Sequence, residues 1–106
     1  MILVTTMEVP GRAITECLGL VRGSTVRARH LGRDIGALLK NLVGGEVTEY
    51  TKLLAESREQ ALDRMIAEAR RKGADAVVAM RFASSEVSAG AAELLVYGTA
   101  VKLGPA

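Results

Sequence analysis

Residues 48–72 read Thr-Glu-Tyr-Thr-Lys-Leu-Leu-Ala-Glu-Ser-Arg-Glu-Gln-Ala-Leu-Asp-Arg-Met-Ile-Ala-Glu-Ala-Arg-Arg-Lys. Tyr50, Leu53, Leu54, Ala61, Leu62, Met65, Ile66 and Ala69 fall on one side at helical spacing. Ser57, Arg58, Glu59, Asp63, Arg64 and Glu68 fall on the other. The stretch therefore predicts one amphipathic helix. Arg70, Arg71 and Lys72 complement the dipole at its end, and Glu68 stands in the favourable order before Lys72. Gly73 sits where a left-handed C-cap belongs. At 1.5 Å per residue such a helix is about 36 Å long. A compact domain of this size has a radius of gyration of about 13 Å and so is no longer than its helix. A break at Ser57, with Ser57 and Gln60 as a second capping box, is the competing reading.

Strands flank this helix. Residues 2–6 are strand-like and end before Pro10-Gly11. Residues 13–30 are strand-like with glycines at 19 and 23, which predict a bend or bulge. In their second half Thr25, Arg27 and Arg29 alternate with Val26, Ala28 and His30. Residues 34–43 predict a shorter helix, with Ile35, Leu38, Leu39, Leu42 and Val43 as its stripe and Gly44-Gly45 as its stop. Residues 76–82 and 93–103 predict two strands paired as an antiparallel hairpin, with the small, polar residues 83–92 linking them. Neither strand alternates cleanly, so both sheet faces need cover. Gly98 inside the last strand predicts close approach of another backbone or packing of a helix. The fold class is α+β: one domain over 1–106, a small, mostly antiparallel sheet with two helices on one face.

Composition narrows the function classes. The chain has 106 residues, room for one domain that buries roughly 60–70% of its unfolded surface. Tyr50, Phe82 and Tyr97 are its only aromatics, so the core is aliphatic and thin, and apolar surface from further copies would complete it. The net charge of +2 demands no nucleic-acid partner. One cysteine, Cys17, excludes an intrachain disulfide and fits a reducing compartment. No charged leader with a long apolar core opens the chain, and no apolar run reaches the ~20 residues of a membrane span. The expectation is a cytoplasmic protein without a membrane partner.

Gly44-Gly45-Glu46, Tyr50, Leu54, Arg58, Ala61 and Met65, Gly73-Ala74-Asp75-Ala76-Val77-Val78, and Tyr97-Gly98-Thr99-Ala100-Val101 follow one another in an order and spacing that resemble the YbjQ-like family. Ile14 to Gly23 also resembles that family's first half. The similarity covers nearly the whole chain. It implies a dodecin-like α/β unit assembled into a ring-shaped homopentamer, and a heavy-metal-binding label without established catalytic residues.

Candidate chemistry is sparse. The residue types that could hold a divalent or soft metal ion are Cys17, His30, Asp34, Glu46, Asp75 and Glu93, of which Cys17, His30 and Glu46 are the chosen candidates. Structural zinc sites use paired ligands such as C-x₂₋₄-C or H-x₃₋₅-H, and no such pair occurs. A site therefore requires several copies, each contributing a ligand around an axis or at an interface. The plain alternatives are a buried, inert Cys17, a His30 satisfied by backbone, and a Glu46 at the N-terminus of the long helix. Gly44-Gly45 lacks both the dinucleotide fingerprint and the lysine of a P-loop. Arg22, Arg27, Arg29 and Arg33 form a basic cluster without aromatic interleaving, a solvated or salt-bridged strand rather than a nucleic-acid surface. Cys17 and His30, thirteen residues apart and not facing each other, are the only pair suited to nucleophilic catalysis, so an enzyme is the least supported class. The expected function is a homo-oligomer that binds a metal ion or small ligand between subunits. A structural module that presents its surface to partner proteins is the alternative.

Overall fold

The computed structural model of the chain describes residues 1–27, 48–88 and 91–105. Its elements are β1 (Ile2–Leu3), β2 (Ile14–Arg27), α1 (Thr48–Arg71), β3 (Ala76–Ser88) and β4 (Ala91–Leu103). The four strands form one mixed sheet in the order β1-β3-β4-β2. β1 runs parallel to β3, and the other two pairings are antiparallel. The α+β class with a mostly antiparallel sheet is therefore observed. Of the two expected helices, the described residues hold α1; the expected 34–43 helix lies outside them.

α1 is continuous from Thr48 to Arg71. The break considered at Ser57 does not occur: the helix runs through it unbroken, and the Ser57 hydroxyl donates to the Leu53 carbonyl one turn earlier, at 2.9 Å. Its C-terminus closes as a Schellman motif: Gly73 N–H donates to Arg70 O and Ala74 N–H to Ala69 O, both at 3.0 Å. Gly73 holds φ +77°, and a Cβ there would meet nothing closer than the Lys102 ammonium at 3.7 Å. Gly73→Ala is thus expected to cost about 1 kcal/mol, all of it conformational, as a drop of the denaturation midpoint with unchanged slope.

α1 lies antiparallel along β2. Ser57 stands beside Thr25, Ala61 and Met65 over Gly23, and Lys72 beside Leu18. Gly23 makes this approach possible, since a Cβ there would lie 2.5 Å from Met65 N and closer still to the Ala61 carbonyl oxygen. Under the helix, Val21, Ala61, Met65, Ala69, Val77, Val96 and Ala100 form the main core, all fully buried. The aliphatic, aromatic-free core expected from composition is observed here. The predicted irregularity of β2 is present too: its register slips between Cys17 and Gly19, where Gly19 has φ +93°.

On the opposite face a smaller cluster joins Val9, Ala76, Val78, Val101 and Leu103, with Ile2 and Val4 against it. The N-terminal segment therefore covers the near half of that face. β1 is shorter than the strand expected over 2–6, but its pairing continues irregularly: Met80 N–H donates to Val4 O and Ala79 N–H to Thr6 O. This meeting point is a bulge in β3, between Val78 and Arg81, with Ala79 at φ 53°. Gly98 faces the same bulge. A Cβ on it would lie 2.5 Å from a Val77 methyl and 3.0 Å from the Val78 carbonyl oxygen. Gly98 was expected to meet another subunit or a helix; what approaches it is the neighbouring strand β3 of the same chain.

The hairpin is longer than expected. Residues 83–92, read as a polar link, are mostly strand: Ala83 pairs with Leu95, Ser84 with Leu94, Ser85 with Glu93 and Glu86 with Ala92. Pairing to an apolar partner strand overrides the weak strand preference of the serines. The extended hairpin and the long helix stretch the molecule to 54 × 27 × 17 Å, with a radius of gyration of 17.2 Å. A compact chain of this length would have about 13 Å.

Candidate functional site

Cross-strand register assigns each strand residue to a face, because directly opposed residues project to the same side. Val21, Gly23 and Thr25 of β2 oppose Gly98, Val96 and Leu94 of β4, and these share the face that α1 covers. Leu20, Arg22, Ser24 and Val26 oppose Thr99, Tyr97, Leu95 and Glu93 on the other face. Arg81, Ala83 and Ser85 of β3 continue it. Beyond the reach of the N-terminal segment, this face holds Leu20 at 57%, Val26 at 56% and Tyr97 at 37% exposure, with Leu95 half-buried between them. Scattered exposed apolar residues are ordinary; three large ones on one sheet face, around Leu95, form a patch.

Cys17 lies at the near end of the same strand, opposite Val101. It is exposed, so the buried, inert alternative does not hold. Solvent access leaves its thiol available as a ligand or to oxidation. Of the other chosen metal candidates, His30 and Glu46 lie outside the described residues, as does Asp34. Asp75 is exposed, and one of its carboxylate oxygens accepts from Leu103 N–H at 2.9 Å, a turn-closing role. Glu93 is opposite Ser85 and Val26, far along the hairpin from Cys17. Among the described residues, no three His, Cys, Asp or Glu side chains gather where a metal ion could sit.

The basic cluster is represented by Arg22, exposed and opposite Tyr97, and by Arg27, opposite Ala92; Arg29 and Arg33 lie outside the described residues. The outer face of α1 carries a shallow, open depression lined by Lys52, Glu56, Glu59 and Asp63, of which Glu59 and Asp63 were expected on the solvated side; Ser57, expected there too, is instead buried beside Thr25. Among the described residues, no helix is long and apolar enough to cross a membrane.

Two features escaped the residue pattern. One is the gathering of Leu20, Val26 and Tyr97 on a single face, which depends on the β2–β4 register and its bulges. The other is a row of charged side chains along the edge of β2 that no described strand pairs: Arg64 and Glu68 of α1 and Lys72 just after it, each four residues from the next. The i,i+4 spacing is visible in the sequence, but only the packing of α1 beside β2 shows what the row touches.

Comparison with known proteins agrees with this architecture. A family model described as "Putative heavy-metal-binding" and named YbjQ_1 matches residues 1–104. A UPF0145 protein of Methanoculleus marisnigri is 63% identical over 105 residues, covering 99% of this chain and 98% of its own. A UPF0145 protein of Thermus thermophilus is 58% identical over 106 residues, with 99% and 93% covered. A crystal structure of a DUF74-family protein from Pediococcus pentosaceus superposes with a TM-score of 0.63 at 13% identity, over 98% of each chain, a likeness of fold. Matched along almost its whole length by that family model and by such relatives, the chain belongs to the YbjQ (UPF0145) family.

Proposed function

We propose that the protein is a homo-oligomeric binding module that takes a metal ion or small ligand where its copies meet. The observation that carries this reading is the exposure of Leu20, Val26 and Tyr97 on one sheet face, with Leu95 half-buried among them, in a chain far more extended than a compact domain. Burying that face against another copy removes it from water at about 25 cal/mol per Å². Rings repeat every side chain about their axis, so one Cys17 per subunit becomes several. This supplies the paired ligands that a soft metal wants and a single chain lacks. His30 and Glu46 complete the proposed donor set. The family's printed description as heavy-metal-binding supports the metal; the resemblance to the YbjQ-like family supports a five-membered ring, and the single cysteine supports a reducing compartment such as the cytoplasm.

Elemental analysis of untagged protein, purified under metal-replete conditions, tests this directly. The expected result is a fixed ratio of metal to subunit that falls at least ~10-fold in Cys17→Ala, His30→Ala or Glu46→Ala, with particle mass unchanged. An oligomer with no metal would contradict the metal half and leave a module whose surface serves partner proteins.

A further inference from the structure

Among the described residues β2 is an edge strand of the sheet, fourteen residues long, with Leu20 and Val26 exposed on one of its faces. Such an edge presents a row of unpaired N–H and C=O groups that invites another strand. Here the middle of the row is partly occupied. Side chains of α1, and Lys72 just beyond it, reach four outward groups of even-numbered residues. Lys72 Nζ approaches the Leu18 and Leu20 carbonyls at 3.5 and 3.3 Å. A Glu68 carboxylate oxygen accepts from Arg22 N–H at 3.4 Å. An Arg64 guanidinium nitrogen donates to the Ser24 carbonyl. The signs match: cations stand on carbonyls and the carboxylate on an amide. The lysine and glutamate contacts are long, charge–dipole in character, and so can yield to water or to a competing strand.

We propose that Arg64, Glu68 and Lys72 form an intramolecular strap that closes the β2 edge against strand addition by a second copy of this chain. Self-association is thereby confined to surfaces other than that edge. Three features support a second copy as the excluded occupant. The edge is long, it carries exposed apolar residues, and the strap mimics the alternating donors and acceptors that a paired strand would offer. The inference stands whether or not the apolar face binds a ligand, since it concerns backbone groups of the edge alone.

The test is the variant R64A/E68A/K72A, in which alanine preserves helix propensity. By light scattering it is expected to form particles several-fold heavier than the parent, growing with concentration, with added β-sheet signal in circular dichroism. Adding Ser24→Pro removes the outward N–H at the centre of the edge, a substitution that edge strands tolerate. This is expected to restore the parent's mass. Should the triple variant fail to fold, Arg64→Ala and Lys72→Ala made singly carry the test, each expected to raise the heavier fraction by a smaller factor. Parental mass in all folded variants, or extra assembly that Ser24→Pro leaves untouched, overturns the proposal.

Discussion

Replacing Gly23 by alanine is expected to lower the unfolding free energy by about 3 kcal/mol or more, the upper range for overpacking. The new Cβ would sit 2.5 Å from Met65 N, closer still to the Ala61 carbonyl oxygen and 2.9 Å from Arg64 Cβ. Two of these three atoms are helix backbone, which cannot rotate away as a side-chain tip can. α1 must lift from β2, which opens the core around Val21, Met65 and Val96. Urea denaturation followed by circular dichroism would read this as a large drop in midpoint. A change no larger than that expected for Gly73→Ala would mean that the helix does not lie on this part of β2.

The paired substitution Leu20→Glu with Tyr97→Glu is expected to have the second large effect, on assembly rather than on folding. Both side chains are exposed within the single chain, and neither belongs to a core cluster. Carboxylates there remain solvated in the monomer and become buried and repulsive between copies. The particle mass is therefore expected to fall to that of a single chain at micromolar concentration, with helix content retained. Unchanged mass would place the contact between copies on another surface.

The elements that could be read from the residues are those with strong local signals. The stripe from Leu53 to Ala69 fixed α1, and Gly73 marked its end. The runs 76–82 and 93–103 located the hairpin, though not its length. Ser84, Ser85 and Glu86 have little strand preference and become strand only because Leu94, Glu93 and Ala92 lie opposite. Ala79 at positive φ carried no warning, since a bulge forced by the incoming N-terminal segment is a long-range event. The proposed contact surface follows the same uneven pattern. A shortage of aromatics and the need to cover the second sheet face raise the expectation of association between copies. Which residues share that face depends on a register shifted by bulges at Ile14–Glu16 and Cys17–Gly19. The strap was hidden for a different reason: Arg64, Glu68 and Lys72 have the composition of any wet helix face.

The proposed function rests on copies of this chain meeting in solution, a reading supported by the exposed Leu20, Val26 and Tyr97 and by the extended shape. Multi-angle light scattering of the untagged protein over a range of micromolar concentrations measures this most directly. One particle at a constant whole-number multiple of the 11.2 kDa chain is expected. A well-folded particle of 11.2 kDa across that range would contradict the shared apolar face and, with it, any metal or ligand site built between subunits.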